Sequence, residues 1–393
     1  MPQLPNFSRC VLCLCALLLA MALTACQDST TSKEQAQNQA DQTQALKIGA
    51  VLRLSKGASD GLPARHGIEI AVQEINSQGG IDGRPLEVVY YDSKDDATTA
   101  VNAVQKLISV DKVEAIIGPM MSGNVLAAAP LCQRNNVVLL TPTGTSPRIS
   151  EAGSYTFRLC SRIDDQARAL VQEALSRVGT DPTVAILYSN EPYGKGSKEL
   201  FTRYLAEQDI TPATVESFQR GDKDFQAQLT KIKQLNPDIL FVPGYLQETA
   251  PLISQARQMG IDALSVGVFG DMAPKYIELA GKAAEGHLIA GEYNKHKDTE
   301  RNQDFVNAYE ALLEDQPKAP ENIMFAALTY DAVHLLRQSF STGATTGSAI
   351  QSFLDELEAF DGITGTLSFD ANGDVQKGGV YLFEVQNGTY RKL

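Results

Sequence analysis

Short apolar runs alternate with longer segments whose apolar residues recur every three or four positions, from residue 46 almost to the end of the chain. The first pattern predicts buried strands and the second predicts helices with one buried face. A strand is expected at 47–52. A helix follows at 64–76, with Ile68, Val72 and Ile75 on one face and Gly79-Gly80 ending it. A second strand, 86–91, comes after the Gly83-Arg84-Pro85 turn, and Val101, Val104 and Ile108 give the next helix its apolar face. The stretch 114–147 then reads as strand, loop, helix, strand, loop. Its apolar runs are 115–117, which stops at Gly118-Pro119, and 137–140, which stops at Thr141-Pro142; the helix between them begins at Ser122. This βα repetition predicts a parallel sheet with right-handed crossovers.

A second series of the same build starts near Asp164. Helices are expected at 166–178, 196–207 and 250–259, with Phe225, Leu229 and Ile232 marking another, and strands at 184–188, 214–218, 239–242, 265–269 and 287–291. The remainder reads as helical at 302–313, 322–339 and 348–360. After it come a strand at 365–369, a turn through Asp370-Ala371-Asn372-Gly373-Asp374 and a last strand at 380–385. Asn-Gly between apolar runs is a strong hairpin signal. The fold class is therefore α/β, with two sheets of similar build.

The first 26 residues stand apart. Arg9 supplies a positive start, 11–23 is almost wholly apolar, and Leu23-Thr24-Ala25-Cys26 follows. The apolar core is shorter than the roughly 20 residues that span a bilayer, and it fits the h-region of an export signal. Leu-Thr-Ala-Cys resembles a bacterial lipobox, which implies removal of residues 1–25 as a signal peptide and lipidation of Cys26. Residues 26–45 are rich in Gln, Thr, Ser, Asn and Asp and are expected to form a flexible tether. The protein is then exported, periplasmic or at the cell surface, and held to a membrane by lipid. Cys10, Cys13 and Cys15 leave with the signal. Cys132 and Cys160 remain, as a disulfide or as two buried thiols; their places in apolar elements favour thiols.

Composition narrows the function. A chain of 393 residues, 43% hydrophobic, suits a soluble protein of two domains or more. A net charge of -13 without any long Lys/Arg run argues against a nucleic-acid partner and against direct binding to an anionic membrane surface. His66, His287, His296 and His334 are scattered without metal-ligand spacing. There is no G-x-S-x-G elbow, and Gly194-Lys195-Gly196-Ser197 lacks the spacing of a phosphate loop. Asp370, Asn372 and Asp374 mimic the opening of a calcium loop, but Val375 stands where glycine is needed and Tyr381 where glutamate is needed. The expectation is a protein that is not an enzyme and has no cofactor or metal.

The loops after 115–117 and 137–140 lie at the carboxyl ends of buried strands, where open parallel sheets bind ligands. They carry Ser122, Gly123, Thr143, Gly144 and Thr145. Free N–H groups at a helix start, with hydroxyls beside them, suit a small carboxylate. The same residues also suit a plain helix cap and a turn. Tyr193 and Tyr245 follow strand ends in the second series, and Phe325 lies near a helix start. An aromatic so placed either closes over a ligand or packs on its own scaffold.

Several ordered motifs together resemble a known family. They include Gly67-Ile68-Glu69-Ile70-Ala71-Val72-Gln73-Glu74-Ile75-Asn76, Gly79-Gly80-Ile81-Asp82-Gly83-Arg84-Pro85-Leu86, Ile117-Gly118-Pro119, Tyr193-Gly194, Asp224-Phe225, Ala284-Glu285-Gly286 and Tyr330-Asp331-Ala332. From about Leu46 onward the chain resembles the leucine/isoleucine/valine-binding proteins, the type I periplasmic solute-binding proteins of branched-chain amino acid ABC transporters. The resemblance implies two Rossmann-like lobes with parallel sheets, joined by a three-crossing hinge and closing on ligand. It places lobe one at 46–162 plus 292–377 and lobe two at 163–291 plus 378–393. It assigns Ser122, Thr143, Gly144 and Thr145 to the ligand carboxylate, Tyr193 and Tyr245 to the opposite wall, and Phe325 to the side-chain pocket.

The sequence departs from that pattern in two places. Phe269 stands where the family has the acid for the ligand amine, so Asp271 or Asp60 is expected to supply the negative charge. The family's lobe-one disulfide positions fall on Asp95 and Met121, so that disulfide is absent. The resemblance implies a monomeric, lipid-anchored receptor that delivers a small amino acid, of the branched-chain type, to an ABC permease. An alternative is a ligand sensor of the same fold, responding to an amide or small carboxylate and signalling to a partner protein.

Overall fold

The computed structural model describes residues 44–56, 58–314, 322–377 and 380–393. The signal segment, Cys26 and nearly all of the tether lie outside the described residues. The first series forms β1 (Leu46–Leu52), α1 (Ala58–Ser77), β2 (Leu86–Asp92), α2 (Ala97–Lys106), β3 (Ala115–Ile117), α3 (Ser122–Asn135), β4 (Val138–Thr141) and β5 (Thr156–Arg158). These strands make a parallel sheet in the order β2-β1-β3-β4-β5. Strands β3 and β4 are wholly buried, because helices cover both faces; this is why they read as unbroken apolar runs.

The second series forms α4 (Ile163–Val178), β6 (Val184–Ser189), α5 (Pro192–Ala206), β7 (Thr214–Phe218), α6 (Gln226–Leu235), β8 (Ile239–Phe241), α7 (Leu246–Gln258), β9 (Leu264–Val266), α8 (Pro274–Ala280) and β10 (Leu288–Gly291). The chain then returns to the first sheet through α9 (Glu300–Glu314), α10 (Ile323–Ser341) and α11 (Gly347–Asp355). Helix α10 is buried along almost its whole length against α1. Their backbones meet closely: a Cβ on Gly67 would lie 2.0 Å from the Ala326 carbonyl oxygen, so only glycine fits there.

The C-terminal part differs from the pattern reading. Strand β12 (Gly365–Phe369) pairs with β11 (Phe360–Gly362) and with β13 (Val375–Lys377), not with the run at 380–385. The turn closes at once, with Asp370 N–H donating to Asp374 O at 2.9 Å and Gly373 N–H to Asp370 O at 2.9 Å, so the partner strand begins at Val375. The later run is β14 (Tyr381–Gln386), which joins the second sheet antiparallel to β10, with β15 (Thr389–Lys392) outside it. That sheet runs β15-β14-β10-β9-β8-β6-β7. Residues 356–359 end the helix expected to reach 360, since Phe360 enters β11. Cys132 and Cys160 are buried free thiols, and burial pushes both up to about 12.

The chain passes between the sheets after β5, after β10 and after β13. A buried ion pair joins these passages. Lys377 Nζ lies 2.5 Å from Glu292 Oε2, with side chains 2% and 0% exposed. Glu292 also accepts from Ser161 N–H at 3.0 Å, from Ser161 Oγ at 3.1 Å and from Gln166 Nε2 at 3.3 Å. Lys377 donates to Leu159 O at 3.0 Å. Residues from all three passages thus meet in one satisfied polar knot.

Candidate functional site

In each sheet the strand order reverses direction once: between β1 and β3 in the first, and between β6 and β8 in the second. Loops leaving adjacent strands diverge at such points and open a crevice at the strand carboxyl ends. The two crevices face each other. Arg53, Asp60 and Ser122 come from the first, and Tyr193 and Tyr245 from the second. Together with Met120, Met121, Thr143, Thr145, Phe269, Gly270 and Phe325 they enclose a small cavity of about 30 Å3.

The lobe-one wall carries an open helix start. Helix α3 begins at Ser122, and its N-cap is Met121, which has no side-chain acceptor to offer. The first amides of α3 are therefore left without a side-chain cap, and a helix start in that state attracts negative charge. Ser122 Oγ accepts from Ser146 N–H at 3.3 Å, which leaves its hydroxyl proton free. Thr145 Oγ1 is buried with no hydrogen-bond partner among the described residues. Helix α5 on the opposite lobe has a different start: Glu191 accepts from Tyr193 N–H at 2.9 Å and Gly194 N–H at 2.7 Å. One helix start is closed by its own chain and the other is left open.

The loop carrying Thr145 is held from below. Arg158 is fully buried and donates to Gly144 O at 3.3 Å, Ser146 O at 3.1 Å and Ser150 Oγ at 2.8 Å, while its Nε meets Asp374 Oδ1 at 2.5 Å. The acid of the expected hairpin turn thus serves as a counter-charge. Among the described residues no group of three or more His, Cys, Asp or Glu could hold a metal ion.

Eight of the ten ligand-site residues named from sequence line the cavity: Ser122, Thr143, Thr145, Tyr193, Tyr245, Phe325, Asp60 and Phe269. Two do not. Gly144 turns inward; its N–H donates to Thr141 Oγ1 at 3.1 Å and its carbonyl is taken by Arg158. Asp271 lies behind the wall, 0% exposed, accepting from Thr249 Oγ1 and facing His287 Nε2 at 3.4 Å. The strand expected at 265–269 stops at Val266, and a 3-10 turn over Phe269–Asp271 aims Phe269 at the cavity and Asp271 into the lobe. Burial pushes the Asp271 carboxyl up.

Asp60 has the opposite placement. It lines the cavity beside Arg53, to which it is hydrogen-bonded. A Cβ on Gly61 would lie 2.1 Å from the Arg53 carbonyl oxygen, so glycine lets the helix start press against the strand end and bring the two charges together. Burial pushes the Asp60 carboxyl up, and Arg53 pulls it back toward ionisation. The rings of Tyr193 and Tyr245 meet tilted at 4.9 Å, and burial raises both phenols well above their ordinary value, so they stay neutral. The Tyr193 hydroxyl accepts from Gly270 N–H at 3.0 Å. Phe269 and Phe325 meet edge to face at 5.6 Å across the cleft.

Sequence reasoning missed Arg53, Met120, Met121 and Gly270. Arg53 had a readable signal: it is the first residue past a buried strand, with an acid seven positions on. A larger groove of about 660 Å3 lies between β15 and the segments 293–296 and 322–324, and none of the ten ligand-site residues named from sequence lines it.

Two α/β lobes with parallel sheets, three chain passages between them and a crevice at facing strand ends define a periplasmic binding protein of type I. A family model described as periplasmic binding protein matches residues 45–389. A leucine-, isoleucine-, valine-, threonine-, and alanine-binding protein of Pseudomonas aeruginosa is 27% identical over 320 residues, 81% of this chain and 84% of that protein. Among solved structures, LivJ from Streptococcus pneumoniae in complex with isoleucine is 30% identical, with a TM-score of 0.79 over 88% of this chain and 97% of its own. The leucine binding protein LivK from Thermotoga maritima is 30% identical, with a TM-score of 0.81 over 89% and 98%. The chain belongs to the leucine/isoleucine/valine-binding family of periplasmic binding proteins.

Proposed function

We propose that this protein is an exported receptor, anchored by lipid at Cys26, that closes its lobes on a small α-amino acid and hands it to an ABC importer. The observation behind this reading is the open start of α3 with Ser122 and the unpartnered Thr145 hydroxyl, facing two neutral tyrosines on the other lobe. Ser122, Thr143 and Thr145 take the ligand carboxylate. Asp60 takes the ammonium, the role left open by Phe269, because a buried ammonium needs a carboxylate or several carbonyls. Phe269 and Phe325 cover the adjoining apolar part of the ligand. The hinge acts where the chain passes between the lobes, around the Glu292–Lys377 pair, and the receptor works as a monomer without enzymatic activity.

The test is mass spectrometry of small molecules released from the purified protein, followed by calorimetric titration. The expected result is release of an α-amino acid that binds back stoichiometrically. A bound solute lacking any carboxylate would overturn the assignment of Ser122 and Thr145.

A further inference from the structure

Beside the ligand cavity lies a second chamber of about 400 Å3, and the two share Arg53, Met121 and Tyr245. Three basic side chains, Arg53, Lys56 and Arg220, and three acidic ones, Asp95, Glu191 and Glu248, line it. Most of these charges form a chain that crosses the cleft. Asp95 Oδ2 accepts from Arg53 Nη2 at 3.1 Å and from Arg220 Nη2 at 2.7 Å, and Arg220 Nε lies 3.7 Å from Glu248 Oε1.

The chain does not use every polar atom. Three donors, Arg53 Nε, Asn124 Nδ2 and Arg220 Nη1, and two acceptors, Gln247 Oε1 and Glu248 Oε2, are buried without a partner among the described residues. The side chains of Arg53, Asn124 and Glu248 belong to residues 2%, 5% and 3% exposed. A buried polar atom left unmatched is destabilising, so a ligand that matches it gains affinity. A carboxylate would match the donors but meet Glu248. An ammonium or guanidinium would match the acceptors but meet Arg53 and Arg220. An aliphatic group would match none of them. A neutral planar group with both N–H and C=O matches both sets, in a chamber whose charges balance.

Resting on the amino-acid reading above, we infer that the ligand is an α-amino acid whose side chain ends in a carboxamide or ureido group. Its backbone end sits at Ser122 and Thr145, and its side chain reaches past Arg53 and Tyr245 into the second chamber. The Pseudomonas aeruginosa and Streptococcus pneumoniae relatives are named for, or bound to, aliphatic or small amino acids, so on this inference the chain differs from them in side-chain class.

The test is calorimetric titration of the mature protein with L-glutamine, L-citrulline, L-leucine, L-glutamate and L-lysine. Glutamine or citrulline is expected to bind at least about tenfold tighter than the other three. In Gln247→Leu and in Asn124→Ala the ratio of that affinity to the leucine affinity is expected to fall to within about threefold of unity. Leucine binding as tightly as glutamine and citrulline would overturn the inference and leave the amino-acid site standing. Glutamate or lysine binding tightest would overturn the charge-balance argument and with it the inference. A preference for glutamine or citrulline that survives both substitutions would overturn the placement in the second chamber. Failure of all five to bind would overturn the amino-acid reading itself.

Discussion

Two buried charge clusters in this molecule resemble each other in composition and differ in satisfaction. At the hinge, Glu292 and Lys377 are enclosed and every contact is taken up by Ser161, Gln166 and Leu159. At the cleft, Arg53, Asp60, Asp95, Arg220 and Glu248 are linked in series, yet Arg53 Nε, Arg220 Nη1 and Glu248 Oε2 have no partner among the described residues. A satisfied buried network fixes geometry, whereas an unsatisfied one is held in a costly state by the surrounding fold. The first cluster joins three chain passages, and the second lines the cleft, where the reading above places the ligand.

The largest effect is expected at the hinge. Glu292→Ala leaves the Lys377 ammonium buried and unpaired, and should destabilise the protein by about 3–5 kcal/mol in denaturant unfolding. Replacing both residues with apolar side chains of similar volume should recover most of that loss, because neither charge is then stranded. If Glu292→Ala unfolds like the parent, the hinge knot contributes nothing and the contrast with the cleft disappears.

At the cleft the order of effects reverses, with affinity falling more than stability. Asp60→Ala should weaken amino-acid binding by about 2–5 kcal/mol, the usual effect of removing one partner of a desolvated charge pair. It should leave the affinity of the des-amino analogue much less changed. Asp271→Ala serves as the internal control: it should lower stability, since Thr249 and His287 lose their partner, while binding follows stability and not the ligand amine. Equal loss of both analogues in Asp60→Ala would remove Asp60 from the amine site.

The Asp95–Arg220 contact bridges the lobes at 2.7 Å, but Arg220 is 30% exposed, so solvent screens it. Asp95→Asn should weaken binding by less than about 1 kcal/mol, and the effect should shrink further as salt rises. A loss of the size seen for Asp60 would make this bridge part of the site proper.

A further effect, read through pH, lies outside both clusters. Glu74 on α1 faces His334 at 3.5 Å and the Tyr330 hydroxyl at 2.6 Å on α10, and these partners hold its carboxyl down to about 2, below the ordinary 4.5. A carboxyl depressed in the folded state adds stability that is present above the unfolded value and is lost as pH falls through the folded one. The stability gap between parent and Glu74→Gln should therefore be full above about 4.5 and close as pH falls toward about 2. A gap independent of pH over that window would assign the effect to packing.

The strands and helices were legible because buried parallel strands read as apolar runs and their helices as one-sided periodicity; β1, β2, β6 and β7 fall within a residue or so of their pattern. The site loops were legible for the same reason, since they begin where those runs stop. Three things were not legible, each for a physical cause. The pairing of β12 with β13 depended on how tightly the Asp370–Asp374 turn closes, and the Asn-Gly signal does not specify which later segment it pairs. The inward turn of Asp271 came from a single 3-10 turn, which changes side-chain direction without changing apolar pattern. Arg53 was passed over because a strand-end arginine looks like a surface residue until the Gly61 contact pins it against Asp60.

The central claim is that the cleft's spare polar atoms serve a ligand and not the fold. It is tested most directly by measuring affinity and unfolding free energy on one variant, Ser122→Ala. The account predicts that amino-acid affinity falls by about 1.5–3 kcal/mol, the range for a hydrogen bond to a charged group. It also predicts that unfolding free energy in the absence of ligand stays within about 0.5–1 kcal/mol of the parent, since Ser122 gives the fold a single 3.3 Å contact with Ser146. Unchanged affinity with lost stability would make Ser122 a structural residue and contradict the account.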